Sequence, residues 1–591
     1  MMSKGKNTKL NTTNKKRDNL AWLMSGLFGI LSGMFLVLGY QLEKFDHIDL
    51  SDRNSMLVML AMMIVLVVDT KHVWNNYNAR NRGQKFLGLI DLTKYSLDPS
   101  EEKTHEDSKS FFATWGVLII LNLPVLLAEF PGFFVYDAQD ELNEVLTRSF
   151  STHHPLLHVL LLGGVIAFVH KFSGSWNAGI FTYLFLQMLV ITAIFAYVLG
   201  YMQKCGIGKK RKIAYTLYYG LFPTIVMFTL CSSKDGLFSA LLLLLTVYLI
   251  QLLKNTEDFI KDRRKVVAFI ITATLMPCFR HNGFYAYLVF VPFVLAYFIK
   301  KLNKTLTALV ILPVIFYLVF SNILGCISSE KTHHQEMLTV PIMQLARVYT
   351  YEKDSMTKEE INTLTSYIPE ENLSLYTPRV SDMVKVGFNN ELYEKDSASF
   401  YKLWADNLIK HPMTYVNAWL LTSYGFWYPA ANINVYKGNS VFTFTYDESS
   451  YFGYEVEQPG ERHSLIPVID RLYRYLSIGS FFNDAPVISL VMLPGFAMLI
   501  FLFVLLYRLS VKNIKGVLPF LPMVLTYLTV LLGPTYLPRY VVYLWMCLPL
   551  IRISGANLML QFSRQPDYMS GHKCAVLGRG DNSYDENTRT S

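Results

Sequence analysis

Apolar runs long enough to cross a bilayer recur along this chain, and they constrain its fold more than any other feature. A span needs about 20 mostly apolar residues, with a range of about 17 to 25. Runs at or near that length lie at 20–40, 55–70, 112–130, 178–202, 213–230, 236–253, 266–279, 283–299, 305–325, 486–507, 516–533 and 538–555. Three of them, 55–70, 213–230 and 266–279, are short or interrupted. The sequence therefore predicts an all-α polytopic membrane protein of about 12 transmembrane helices. Composition agrees: 52% of residues are hydrophobic and 17% charged, against about 25% charged in soluble domains, which excludes an ordinary soluble enzyme. Mean hydropathy is only +0.28, so a polar segment of domain size must sit among the spans. The cysteines Cys205, Cys231, Cys278, Cys326, Cys547 and Cys574 form no CxxC pair, and indicate neither a disulfide framework nor a zinc knuckle.

The basic N-terminus precedes the run Leu20–Tyr40, which lacks a small-residue cleavage motif and reads as a retained span rather than a signal peptide. Short loops rich in Lys and Arg stay on the cytoplasmic side. Here those are Lys4 to Arg17, Lys71 to Lys109, Lys204 to Lys212, Lys254 to Lys265, Lys300 to Lys304 and Arg508 to Lys515. All six share one side only if the stretch from Pro131 to Lys204 crosses once, which makes 155–169 an interfacial or re-entrant helix and 178–202 the span. The loops 41–54, 131–177, 231–235, 280–282 and 533–539 and the segment 326–485 then face outward. Both termini fall in the cytoplasm.

Ionisable residues at membrane depth are costly and mark substrate paths or reaction centres, and four polar clusters land on that outer face. The first is 130–158. From Ala138 the residues Leu142, Val145, Leu146 and Phe150 recur at helical spacing opposite Asp140, Glu141, Glu144 and Arg148, the pattern of a surface-lying helix with Asp140 and Glu141 in water. Asp137 precedes it, either as the helix N-cap or as a general base. His153, His154 and His158 suit interfacial hydrogen bonding or contact with an anionic group. The second cluster, CSSKDG at 231–236, reads as a tight turn carrying Lys234 and Asp235. In the third, CFRHNG at 278–283, Asn282-Gly283 reads as a turn beside the permanent cation Arg280. The fourth, GPTYLPRY at 533–540, sets Arg539 and Tyr540 at the start of the last span. Each has a bland reading as turn geometry or snorkelling; together they form a constellation.

Carboxylates and cations at an outer membrane surface fit a lipid-linked phosphate donor. Arg and Lys bind phosphate, and a carboxylate deprotonates an acceptor hydroxyl. Arg280, Lys234 or Arg539 would meet the charge developing on the leaving phosphate.

The order of elements from Phe111 to about Gly325 resembles the core of the GT-C membrane glycosyltransferases, which include the protein O-mannosyltransferases, the aminoarabinose transferase of lipid A and the oligosaccharyltransferases. Asp137 matches the family's first acid, His154-Pro155-Leu156 its His-Pro turn with Leu in place of the second Pro, and Asp235 its second acid. The PG…D…HHP, KDG, RxNG and RY elements are similar to an uncharacterised bacterial multispanning group in that superfamily. The resemblance implies an inverting cell-envelope glycosyltransferase. It implies Asp137 and Asp235 as catalytic residues, with His154, Lys234, Arg280, Asn282, Arg539 and Tyr540 binding substrate. The donor is a polyprenyl-phosphate sugar and the acceptor a glycan, lipid or protein; membrane lipid is a partner and nucleic acid is not. The second outer loop has one acid beside a Lys rather than the paired acids of the metal-dependent members. No cofactor or metal site is therefore expected.

This divides the chain into residues 1–110 with two extra spans, a GT-C-like core at 111–325, an extracytoplasmic mainly α insert at 326–485, C-terminal spans at 486–555 and a tail at 556–591. The insert's stretch 399–429, with Trp404, Trp419 and Trp427, reads as one helix lying over the membrane or packed on the insert's own core. Gln344 and Arg347, one turn apart, hint at a further polar contact near the site. A transporter or flippase for a lipid-linked intermediate, or a polymerase of lipid-linked glycans, is the alternative; no internal repeat supports a common transporter design.

Overall fold

Lipid cannot satisfy backbone N–H and C=O groups, so a membrane-spanning chain folds as helices that satisfy them within one segment. The computed structural model describes residues 2–81, 108–300, 303–328, 334–431, 456–477 and 480–551, and among these only helices, turns and isolated bridges occur. Part of the basic segment 71–109 and the tail at 556–591 lie outside the described residues.

α1 (Met2–Phe45) and α2 (Arg53–Asn81) form an N-terminal hairpin. α3 (Ser108–Ala128) leads into the loop 129–137, the short α4 (Ala138–Thr147) and α5 (Leu156–Ser173). A two-residue turn joins α5 to the long α6 (Trp176–Lys204). Next come α7 (Lys209–Leu221), α8 (Pro223–Thr229), α9 (Lys234–Lys254), α10 (Thr256–Lys261), α11 (Arg263–Leu275), α12 (His281–Tyr297) and α13 (Lys304–Gly325).

Among the described residues, seven helices are long and apolar enough to span, or eight if the bent pair Pro486–Met492 and Pro494–Ser510 counts as one crossing. The chain is thus an all-α, multi-pass membrane protein. Proline accounts for part of the gap from twelve. Pro223 breaks the run 213–230 into α7 and α8, and Pro277 turns the end of 266–279 into a 3-10 helix at Met276–Cys278, because its ring clashes with the preceding turn and removes a backbone donor.

α5 qualifies as a span by length and hydropathy, yet both its ends sit against the first turns of α6. His158 near its start bonds the Tyr183 hydroxyl, and His170 near its end stacks on Trp176. His158 and His170 are 12 residues apart on α5, about 18 Å, but their partners are only two helical turns apart on α6, about 11 Å. α5 therefore runs obliquely across α6.

The insert holds its own core, in which Ile342, Leu345, Val348, Leu364, Phe400 and Tyr415 are buried. The sequence 399–429 is two helices, Ser397–Lys410 and Pro412–Trp427, because Pro412 opens a new first turn. Its indoles divide the same way: Trp404 donates to Gln344 inside the insert, and Trp419 donates to the Leu531 carbonyl in the membrane-side core. Gln344 and Arg347 serve the insert and its anchor, not the charged cluster. Gln344 donates to the Tyr415 carbonyl, and Arg347 donates to Tyr376 and to the Asp46 carbonyl at the end of α1.

Candidate functional site: an alternating charge ladder

Two loops, 129–137 and 230–233, are joined by their backbones before any charge is considered. Phe133 N–H donates to the Leu230 carbonyl and Ser232 N–H to the Phe133 carbonyl, while the Ser232 hydroxyl bonds both Val135 backbone groups. From α6, the Gln187 amide holds the Thr229 and Cys231 carbonyls. This brings Tyr136-Asp137 beside Lys234-Asp235, at the start of α9.

Two glycines that read as turn residues are packing residues. Lys234, Asp235 and Gly236 open α9, and a Cβ on Gly236 would stand 2.1 Å from the Phe228 carbonyl oxygen. Asn282-Gly283 lies in the first turn of α12, not in a turn between helices; a Cβ on Gly283 would meet the Phe238 ring at 2.6 Å. The chain reverses earlier, so Arg280 is the residue just before the helix.

The charged groups form a ladder of alternating sign. Arg280 pairs with Asp235 Oδ1, and Asp235 Oδ2 lies 3.6 Å from Arg539 Nε. Arg539 Nη2 and Lys234 Nζ each lie 3.5 Å from the same oxygen, Asp137 Oδ2. Lys234 continues to Glu141 Oε1 at 3.3 Å, and Glu141 pairs with His158, whose other ring nitrogen meets the Tyr183 hydroxyl at 3.0 Å. Aromatic faces support the cations: Arg539 lies over Tyr136 at 4.4 Å, and Tyr540 lies under Arg280 at 4.7 Å and Arg539 at 5.0 Å.

Asp137 occupies the N-cap position of α4 but makes no capping hydrogen bond. Glu457, from the far end of the insert, caps in its place, accepting from Asp137 N–H at 3.3 Å and Gln139 N–H at 2.8 Å. Asp137's carboxylate is left to the cations. The backbone there is left-handed at two non-glycine residues, Tyr136 (φ 63°) and Asp137 (φ 73°). Such conformations cost energy and persist where the surroundings impose them.

The expectation that Glu141 faces water is corrected. Its side chain is 1% exposed, because it lies four residues after Asp137 and so shares the inward face of α4. Asp140 does face solvent. His154 meets no free anion site: it lies 3.1 Å from Lys234 Nζ, and an ammonium only donates, so its Nδ1 is the acceptor. Burial and the Lys234 charge push His154 down to about 3, which fits a neutral ring. Asn282 donates to Thr529 Oγ1 at 3.1 Å, outside the ladder, while its Oδ1 is buried without a hydrogen bond, as are Ser233 Oγ and Asp235 Oδ2.

Burial pushes the carboxyls up and the neighbouring charges pull them back. Burial raises Asp137, but Arg539 and Lys234 overcome it and hold it well below the usual carboxylate range. Burial also raises Glu141, and His158 and Lys234 bring it to about 2. Glu457 has no cation to match: burial and the charge of Asp137 outweigh its two backbone donors and raise it to about 8. Among the described residues no three His, Cys, Asp or Glu side chains converge as metal ligands; the carboxylates are met by cations.

The ladder thus assembles Asp137, His154, Lys234, Asp235, Arg280, Arg539 and Tyr540, with Asn282 beside it. Glu141 and Glu457 are the members sequence reasoning missed. Glu141 was within reach through its i+4 relation to Asp137; Glu457 lies in a stretch with no periodic signal. Nothing among curated proteins or solved structures matches the chain. Residues 142–561 match one family profile, a stretch that holds every ladder residue except Tyr136 and Asp137, which lie just before it, and Glu141 at its edge. With well over half its length matched, the chain belongs to DUF6020, a family of unknown function.

Proposed function

We propose that the chain is a membrane glycosyltransferase of the GT-C type, which transfers a sugar from a polyprenyl-phosphate donor to an acceptor hydroxyl on the outer face of a bacterial cell membrane. One observation carries the reading: three permanent cations from three separate segments close on two carboxylates, and one of these, Asp137, reaches solvent at 37% exposure while Asp235 is 1% exposed. The cations suit a phosphate. An ionised, reachable carboxylate suits a base.

In the reaction the acceptor oxygen attacks the anomeric carbon as the bond from that carbon to the phosphate oxygen breaks. The bonding electron pair leaves with the polyprenyl phosphate, the hydroxyl proton passes to Asp137, and attack opposite the leaving group inverts the anomeric centre. Arg539, Arg280 and Lys234 stabilise the charge that grows on the phosphate. No metal takes part in this scheme.

Topology completes it. α5 lies in the outer half of the membrane, α7 with α8 and α11 with its 3-10 turn cross as broken units, and about 12 spans leave both termini in the cytoplasm. The insert selects the acceptor. A transporter or flippase would use the same cations without a base, and a polymerase would take a diphosphate-linked glycan donor.

An intact-lipid mass spectrum of the full-length protein, purified from a bacterial membrane, tests the donor class. Bound polyprenyl phosphate is expected. Protein that carries only bulk phospholipid, and takes up no polyprenyl phosphate when it is supplied, overturns the proposal. Asp137→Asn should abolish sugar transfer, and a variant that transfers at the normal rate removes Asp137 from the mechanism.

A further inference from the structure

The three carboxylates of the ladder are held unequally. Asp235 and Glu141 are each 1% exposed, and each has a close partner, Arg280 and His158 respectively. Asp137 is 37% exposed, and both of its cation contacts are loose, at 3.5 Å on a single oxygen, where charge-assisted bonds are usually about 2.7 to 2.9 Å.

The two cations do not depend on Asp137 for their positions. Lys234 stays anchored by Glu141 at 3.3 Å and His154 at 3.1 Å. Arg539 stays anchored by Asp235 and by the faces of Tyr136 and Tyr540. The Asp137 backbone is equally independent of its side chain, since Glu457 holds the N–H groups of Asp137 and Gln139. The carboxylate can therefore leave both cations by side-chain rotation, with no change in the frame around it.

We infer that the donor phosphate and the Asp137 carboxylate compete for Lys234 and Arg539, so that donor binding itself releases the base. This rests on the function proposed above and adds its order of events. In the resting protein Asp137 neutralises the two cations and is a poor base. The donor's phosphodiester carries one negative charge over two free oxygens, which can face Lys234 and Arg539 together; it takes over both cations and displaces Asp137 Oδ2, and a second charge grows on it as the bond to the sugar breaks. The freed carboxylate, no longer beside two positive charges, gains basicity when a donor is present for the acceptor to attack. The groups facing Asp137 that set this balance are Arg539, Lys234, His154 and His153, with Asp140 and Glu457 opposing them.

The test is equilibrium binding of polyprenyl phosphate, and separately of inorganic phosphate, to the purified full-length protein in detergent. Wild type is compared with Asp137→Asn, an isosteric change at a part-exposed side chain that the fold tolerates. Competition predicts that Asn, which cannot neutralise the cations, binds polyprenyl phosphate tighter by about tenfold or more, from the loss of one unit charge beside two cations, although sugar transfer is lost. Inorganic phosphate should bind more weakly overall but show the same ratio, since the contest is for the headgroup. Equal or weaker lipid binding by Asp137→Asn overturns the competition while leaving the donor class standing. A gain for the lipid without a gain for inorganic phosphate places the effect on the lipid tail and also overturns it. Failure of both proteins to bind polyprenyl phosphate removes the proposed function itself.

Discussion

Arg539 is the residue on which both carboxylates depend. Its guanidinium reaches Asp137 and Asp235 and lies over the rings of Tyr136 and Tyr540. Removing one preorganised donor to a developing oxyanion costs about 2.7 to 4 kcal/mol in the transition state, a factor of about 100 to 1,000 in rate. Arg539→Ala should therefore slow transfer the most, Arg280→Ala next and Lys234→Ala least, since an ammonium is a point charge where guanidinium offers a fork. Arg280→Lys should recover only part of the loss, because lysine keeps the charge opposite Asp235 but not the planar stack on Tyr540. Initial rates with a polyprenyl-phosphate-linked sugar check the order, and normal transfer by Arg280→Ala would reduce that residue to an interface cation. The charged members of the ladder were legible in the sequence because each interrupts an apolar run, where a charge needs a reason. Glu141 was misread because amphipathicity shows which residues share a face, not whether that face meets water or a polar centre. His154 and His158 were visible as histidines, but their partners, Lys234 and Glu141, follow from tertiary contacts alone.

At the level of elements, α4 is held from outside itself. Glu457 caps it, and the stretch of chain around Glu457 lies along the end of α3 and the loop 129–137: Glu457 N–H donates to the Phe134 carbonyl, His463 N–H to Phe130 and Leu465 N–H to Leu127. Asn177 and Glu461 exchange two hydrogen bonds, and Arg462 pairs with Glu129 and with Asp470. Glu457→Leu leaves two inward backbone donors without acceptors, at about 1 to 3 kcal/mol each, and should lower both thermal stability and transfer. The charge state gives a second signature. The folded chain keeps the Glu457 proton up to about pH 8, whereas the ordinary value is 4.5, so between those values the folded state binds more protons than the unfolded one. Stability from this group is then fully present below about pH 4.5 and falls as pH rises towards 8. Glu457→Gln keeps an acceptor and cannot titrate. Thermal midpoints in detergent at pH 5 and pH 8 should fall less across that interval in Glu457→Gln than in wild type; parallel changes would show that Glu457 carries no such proton. Sequence periodicity located most of the helices but not this strap, whose hydrogen bonds join residues some 320 positions apart and leave no local pattern.

On the scale of the whole molecule, the ladder and the basic loops stand at opposite ends of the helices. α9 begins in the ladder at Lys234 and ends at Lys254; its 21 residues rise about 31 Å, the thickness of a bilayer's hydrocarbon core. α6 passes the ladder at Tyr183 and Gln187 and ends at Lys204. Lys212 then ties that end to the start of α3, donating to Gln203 and Ser110. The loops Lys204–Lys212 and Lys254–Lys265 thus collect on one side, one bilayer away from Asp137. In the topology proposed above, these loops are cytoplasmic by the positive-inside tendency, and the ladder, the insert and the strap lie outside. Single cysteines, introduced where side chains are exposed in a chain cleared of its six native cysteines, test this in intact cells. Thr152→Cys beside the ladder and Glu461→Cys on the strap should react with an impermeant maleimide from outside. Lys210→Cys should react only after the membrane is opened. Labelling of Lys210→Cys in sealed cells, with Thr152→Cys protected, would invert the topology: acceptor and phosphate release would then lie in the cytoplasm, and an outer-face transferase would no longer be tenable.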